Sequence, residues 1–435
     1  MTTTAVTGSA EDTRTHTPAA THLGFAQAVS EALKLNPGLK AAGHRAIAAT
    51  QEASATARGR WGELDSTAAY SYWNDHLILV PMYQELLVNG ISGLPFDRSQ
   101  AQYGLVYQFP LYLGGKLNNQ IRIARLEAQK AQALLEGNRW QVRFNVVSLY
   151  SAAQALDRAV AALEEEMAAM TQTKTNLDEM VGLGKRPEVD RLKVVDELEG
   201  VRGQLAAAQA DRVKVGALLL AMLGRDPAGG VTVDPMADAS PRPAPDGLPG
   251  LGRRVENNSA VRSARLAIEQ ADRGVKVARS DFMPKVYAGA SYQDYTGIGI
   301  GQSLDLWVAT VSVKLPLFEG NARLKRLDAA RQRQAAAREA LTEAQLKIQA
   351  DLQEALARLD AVGTNLEAAK AQVAAATEAA RIEHVRYDTG AGTIEDLLRA
   401  RAREARAKAG LASAQANLVT AGERINTIAE QEIVP

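Results

Sequence analysis

The sequence predicts a mainly α protein with a small β part, written twice along one chain. Three observations predict it: a composition suited to long helices, an internal repeat held in register, and heptad-spaced apolar positions broken by short stretches of alternation. Apolar residues make up 46% of the 435, but aromatics only 5%. Alanine therefore carries much of the apolar share, and a core filled by large rings is not expected. Alanine, leucine, glutamine, glutamate, lysine and arginine favour helices that pack closely through small side chains.

The repeat is carried by specific residues. Pro110, Leu111, Tyr112 and Gly114 of QFPLYLGG return 206 positions later as Pro316, Leu317, Phe318 and Gly320 of KLPLFEGN. The same offset maps Val142, Val146, Leu149, Ala153, Leu156, Val160, Leu163, Met167 and Met170 onto nine further apolar residues, from Ile348 to Ala376. It continues through Gly184 and Gly390, Asp190 and Asp396, Leu192 and Leu398, Lys193 and Arg399, and Gln209 and Gln415. Upstream, Asn36, Ile47, Ala57, Arg58 and Trp61 align with Asn257, Ile268, Ala278, Arg279 and Phe282 at an offset of 221, so the first copy carries 15 extra residues between the two blocks. A repeat on this scale makes each copy a structural unit. The division is a tail over residues 1–22, a first repeat over 23–224, a proline-rich linker over 225–250, a second repeat over 251–430 and a short tail over 431–435.

Each copy opens with a helix and then turns to strand. Ser66 to Trp73, Tyr103 to Leu113, Lys285 to Tyr295 and Trp307 to Phe318 alternate small or polar residues with aromatic and β-branched ones, which is strand periodicity. Segments of about 10 residues with one apolar face suit transmembrane β-strands. Pro110 and Pro316 are expected at strand ends, where a missing donor costs little. Trp73, Tyr107, Tyr112, Trp307 and Phe318 are candidates for an interfacial aromatic girdle; ordinary strand packing is the plainer reading. The connections run over Asn74 to Ser99 and about Thr296 to Leu306, and the first includes an apolar stretch, LILVPMYQELLV.

The long helices follow. The apolar steps of 4 and 3 are a heptad repeat, so the helices over 116–181 and 322–387 should supercoil against neighbours. Each would be on the order of 100 Å long. A rod inside the cell and a tube across the envelope both fit this pattern. GLGKRP (Gly182 to Pro187) and DTGAGT (Asp388 to Thr393) end them, glycine supplying the left-handed turn and Pro187 suiting the first turn of the next helix. Returning helices run to about Leu223 and over about 395–428. Six prolines from Pro227 to Pro249 mark the linker.

Several functions are excluded or unsupported. Balanced charge, 50 basic against 50 acidic side chains, does not suit a nucleic-acid binder. No cysteine is present, which excludes disulfides and thiolate metal sites. The five histidines, His16, His22, His44, His76 and His384, show no ligand spacing. GIGIG at Gly297 to Gly301 has no following lysine and is not a phosphate loop. No catalytic constellation, cofactor site or metal site is expected. No apolar stretch approaches the length of a membrane-spanning helix; the longest candidate is Val215 to Leu223. The N-terminus reads as polar with no export signal, and a trimmed start or a misassigned one is the expectation that reconciles this with export.

Four strands cannot close a barrel, and open edges are not viable in lipid, so the strands must be shared with an oligomer. In this setting the chain resembles the TolC family of outer-membrane efflux proteins. The resemblance runs from about Leu23 to Ile428 and rests on NPGLKAAGHRAIAATQEASATARGRW, the corners FPLYLGGK and LPLFEGNAR, and GAGTIEDLLRARAREARAKAGLASAQANL. It implies a homotrimer in the outer membrane with a periplasmic extension. Duplicated helical hairpins would form a trimeric α-barrel, and four strands per chain would contribute to a 12-stranded transmembrane β-barrel. It also implies an exit duct for efflux pumps or type I secretion, with a periplasmic adaptor protein and an inner-membrane transporter as partners.

By the same resemblance, the helix-turn-helix tips narrow the duct, and TIEDLLRA (Thr393 to Ala400) looks like the family's tip motif. Asp396 stands where the family carries a constricting carboxylate. Three copies near one axis would repel each other, favour cations and have raised pKa values. Asp190, Glu188 and Glu395 are further gate candidates. Arg399 stands where a second acidic residue is common, which puts a salt bridge in place of a second acidic ring. Carboxylates at a helix start, favoured by the helix dipole, are the plainer reading. Gly182, Gly184, Gly390 and Gly392 are the turn residues expected at the adaptor. A soluble coiled-coil scaffold explains the heptads but not the strand pairs; an adaptor protein explains a hairpin but not the whole-chain duplication.

Overall fold

The computed structural model describes residues 21–79, 94–237, 251–252 and 255–434. In chain order the elements are β1 (Thr21–Leu23), α1 (Phe25–Leu35), α2 (Pro37–Arg58), β2 (Glu63–Ile78), β3 (Phe96–Tyr112), α3 (Lys116–Gly182), α4 (Glu188–Met222) and β4 (Val231–Val233). There follow α5 (Ser259–Ser280), β5 (Lys285–Gly297), β6 (Gln302–Lys314), α6 (Ala322–Asp388) and α7 (Ile394–Ala429). The contacts divide them into two compact units: the described residues of Met1–Ala42, Leu135–Ser259 and Leu346–Pro435, and those of Gly43–Leu134 and Ala260–Gln345.

The second of these units holds one antiparallel sheet of order β2-β3-β5-β6. Cross-strand partners share a face, so the register sorts the side chains. Leu64 faces Tyr107, Tyr107 faces Ala290 and Ala290 faces Ala309. Ser66, Leu105, Tyr292 and Trp307 form the next row of that face, and Val286 with Val313 another. The opposite face carries Glu63 with Gln108, Thr67 with Gly104 and Gln293, and Gly289 with Thr310. One face is rich in apolar residues and the other in polar ones. Among the described residues the apolar face is uncovered: Trp307 is 72% exposed, and Val311 and Val313 are also exposed. A register irregularity between Pro110 and Tyr112 absorbs the proline and keeps Tyr112, opposite Val286, on the apolar face. Below the sheet, Lys116 holds Asp281 at 3.1 Å and Lys285 reaches it at 3.6 Å.

Details differ from the sequence reading. β6 ends at Lys314, so Pro316 and Phe318 lie beyond it and Phe318 is 82% exposed. Pro110 lies inside β3 rather than at its end. The second connection shrinks to Ile298–Gly301, because β5 and β6 pair out to Gly297 and Gln302. The apolar run of the first connection lies, from Val80 on, outside the described residues.

The other unit is helical, with a small parallel pair. β1 pairs with β4, Thr21 opposite Val231, so part of the stretch read as a tail meets part of the stretch read as a linker. Buried Tyr150 ties the pair down: its hydroxyl donates to the Leu23 carbonyl at 3.0 Å and accepts from the Asp234 amide at 3.0 Å. Burial pushes the Tyr150 phenol up to about 12. The repeat is visible in caps. Asn36 donates from its side chain to the Met222 carbonyl, and Asn258 does the same to the Ile428 carbonyl, both at 2.9 Å. α2 and α5 are each 22 residues long and start at Pro37 and Ser259. Asn36 therefore corresponds to Asn258, not Asn257, and the upstream offset is 222, not 221.

Candidate functional site

The two helix-to-helix turns are built alike. α3 ends with Gly184 at φ +66°, whose amide donates to the Val181 carbonyl at 2.9 Å while the Lys185 amide reaches Met180 at 2.9 Å. α6 ends with Gly390 at φ +76°, its amide donating to Tyr387 at 3.1 Å while Ala391 reaches Arg386 at 2.8 Å. These are two Schellman caps, 206 residues apart in every member. The positive φ favours glycine at the shared position. Gly182 is the last residue of α3, and the Gly392 amide makes a further bond to the Arg386 carbonyl at 2.9 Å.

The helices that leave the turns start differently. Pro187 is the residue before α4, not inside its first turn, and has no side chain with which to cap. Thr393 caps α7: its hydroxyl oxygen accepts from the Asp396 amide at 3.1 Å and donates to the Asp396 carboxylate at 2.7 Å. This is a reciprocal cap, and it fixes the Asp396 side chain against the start of its own helix. Asp190, the equivalent residue, has no such partner because proline replaces threonine.

The remaining gate candidates are ion-paired. Glu395 meets Lys193 of α4 at 3.4 Å and also Arg399 of its own helix. Arg399 therefore pairs with the residue one turn before it on its own helix. Glu188 is held by Arg191, whose Nε lies 2.8 Å away, and that hydrogen bond keeps the Glu188 carboxyl below its usual range. The chain alone brings no two of the candidate carboxylates into a like-charge pair.

Under these charges lies one apolar cluster. Met170 and Leu177 of α3, Val194, Leu198 and Val201 of α4, Tyr387 of α6, and Ile394, Leu397 and Leu398 of α7 pack together. Sequence reasoning missed Tyr387 and Arg186. The Arg186 guanidinium stacks over the Tyr387 ring at 4.9 Å, and burial raises the phenol above its usual range. The signal was a tyrosine on a heptad seam beside a turn containing an arginine. Next to the cluster is a groove of about 500 Å³ whose lining includes Lys193, Glu197, Glu395, Arg399, Arg403 and Arg406.

The girdle candidates sit at different levels of the sheet. Trp307 is opposite Tyr292 in mid-strand, Tyr107 is opposite Leu64, and Tyr112 is near the helix end, opposite Val286. Trp73 lies in the irregular stretch after Tyr72, towards the far end of β2. Phe318 lies outside the strands. Among the described residues no helix is long and apolar enough to cross a membrane and no metal-binding cluster occurs. That is silent about a β-barrel.

Comparison with known proteins agrees with this geometry. The model of the outer membrane efflux protein family matches residues 28–225 and 251–429. The Bordetella pertussis protein CyaE is 31% identical over 211 residues, 46% of this chain and 43% of that protein. The outer membrane efflux protein BepC of Brucella suis is 27% identical over 223 residues, 51% of this chain and 46% of that protein. The chain thus aligns with less than half the length of these relatives. The Campylobacter jejuni CmeC outer membrane channel has the same fold, with a TM-score of 0.81 at 17% identity over 94% of this chain and 86% of that one. With the family model covering most of its length, the chain belongs to the outer membrane efflux protein family.

Proposed function

We propose that three copies of this chain form an exit duct of an efflux pump or type I secretion system, passing substrates through the periplasm and outer membrane. The observation that carries this reading is the four-stranded sheet, with an apolar face, a polar face and two edge strands, β2 and β6, that have no partner strand among the described residues. Lipid has no water to satisfy open edges. Pairing β2 of one copy with β6 of the next would satisfy them and give 12 strands, with the apolar face outward and the polar face lining the pore. The aromatic residues of the apolar face, Tyr107, Tyr112 and Trp307, would then meet the bilayer, with Trp73 near the far end of β2.

In this reading the hairpin tips form the periplasmic end. Asp396 would face its copies across the pore, with Asp190, Glu188, Glu395 and Arg399 around it. The glycine turns, Gly182, Gly184, Gly390 and Gly392, would meet a periplasmic adaptor protein, itself joined to an inner-membrane transporter. The nearby groove of mixed charge suits a helical partner of matching charge pattern. The match to the outer membrane efflux protein BepC supports the efflux class, not a substrate.

Single-channel recording of purified protein in a planar bilayer tests the proposal, with Asp396→Ala beside the wild type. Discrete, long-lived steps are expected, with larger conductance or weaker cation preference in the variant. Unchanged pores in the variant would remove Asp396 from the constriction. Failure of folded protein to form pores would overturn the duct.

A further inference from the structure

Glu166 of α3 is 7% exposed, and its Oε1 is buried with no hydrogen-bond partner. A charged carboxylate in that setting is costly unless paired. Its neighbours are already committed. Glu165, one residue before, pairs with Lys408 of α7 at 2.8 Å, and Lys408 also holds Glu404 at 3.2 Å. Glu404 takes Arg401 at 3.6 Å. Glu197 of α4 adds a like charge, while Arg401 and Arg406 of α7 oppose it at longer range. Beside the carboxyl is a cavity of about 20 Å³, lined by Ala162, Glu165, Glu166, Arg401, Glu404 and Lys408 among others, which is room for about one water. With Arg401, Arg406 and Lys408 set among Glu165, Glu197 and Glu404, the cluster can hold a proton on Glu166.

We propose that Glu166 and the one-water cavity beside it are a proton-binding site, which fastens α3 to α7 while the carboxyl is neutral and loosens that contact when it ionises. The neutral acid can donate to the cavity water or to a neighbouring carboxylate and needs no counter-ion. The ionised form needs more water than the cavity admits. Burial, reinforced by Glu197, pushes the Glu166 carboxyl from 4.5 up to about 7, against the pull of Arg406 and Arg401. Because the folded value is the higher one, the stabilisation is complete below about 4.5 and is lost as pH rises through about 7. The site lies about 27 Å along α3 from its tip turn, so it acts on hairpin packing at a distance from the gate candidates.

Hydrogen exchange of the full-length, detergent-solubilised protein tests this, with rates corrected for the intrinsic pH dependence of exchange. Local opening of the α3 and α7 segments around Glu166 and Glu404 is expected to become about 25-fold more frequent from pH 5.5 to pH 8. In Glu166→Gln, a neutral isostere, it should stay constant. Corrected protection that does not change with pH in the wild type, or an equal change in the variant, would overturn the proposal. Infrared difference spectra of the wild type give a readout that depends on no variant folding. A neutral-carboxyl C=O band lost between pH 6 and 8 is expected, and its absence would overturn the proposal.

Discussion

Asp396 shows how one side chain can be read from sequence and still be placed by its neighbours. Its position after a glycine turn was legible, and so was its duplication as Asp190. That it is one half of a reciprocal cap depends on Thr393, three residues earlier. Removing the cap with Thr393→Ala should cost about 1 kcal/mol, read as a lower urea midpoint for loss of helical signal, and an unchanged midpoint would contradict the cap. The turn itself is stricter. Gly390→Ala places a Cβ at φ +76° and should cost about 1–2 kcal/mol. Gly410→Ala, in mid-helix with open space around it, should be neutral or stabilising by up to about 1 kcal/mol. Equal effects at the two sites would contradict the turn geometry. Other residues were illegible for a physical reason. The pairing of Arg186 with Tyr387, and of Lys193 with Glu395, joins positions about 200 residues apart, and no local pattern carries that.

Among the elements, periodicity decided what could be read. α3 and α6 begin where the heptads begin and end within one residue of where they stop. β1 and β4 have three residues each, too few for any period to register. The one-residue slip between Asn257 and Asn258 arose from the doublet itself. A helix tolerates such a slip because apolar neighbours recur at both three and four residues, and the cap to the Ile428 carbonyl and the matched helix ends resolve it. At this scale one ion-pair network stands out. Arg143 of α3 pairs with the buried Glu423 of α7 at 2.7 Å and also with Glu432. Asn426, beside them, binds the Ile433 and Val434 amides at 2.7 and 2.8 Å. Arg143→Ala leaves Glu423 buried without its cation, so a loss of about 3 kcal/mol is expected. A melting temperature within a degree of wild type would contradict that. In the sheet, Val311→Arg on the apolar face should cost about 2–4 kcal/mol if that face meets mid-bilayer lipid. Refolding yield into lipid vesicles measures it, with Thr310→Arg on the polar face expected to be tolerated. Equal yields would contradict the assignment of faces.

For the molecule as a whole, the chain carries its own evidence of incompleteness. Among the described residues its sheet has two edges without a partner strand and an exposed apolar face, features that proteins ordinarily pair or cover. The sequence made the incompleteness legible through the count of strands. The absence of cysteine makes the closure testable without background. Thr67 and Thr310 lie on the polar face of the edge strands β2 and β6. With both replaced by cysteine, a short bifunctional maleimide added to protein in native membranes should link each copy to the next. The account predicts a ladder of one, two and three chains on a denaturing gel, with nothing larger and no ladder from either single replacement. Monomers alone, or a ladder running past three, would contradict it.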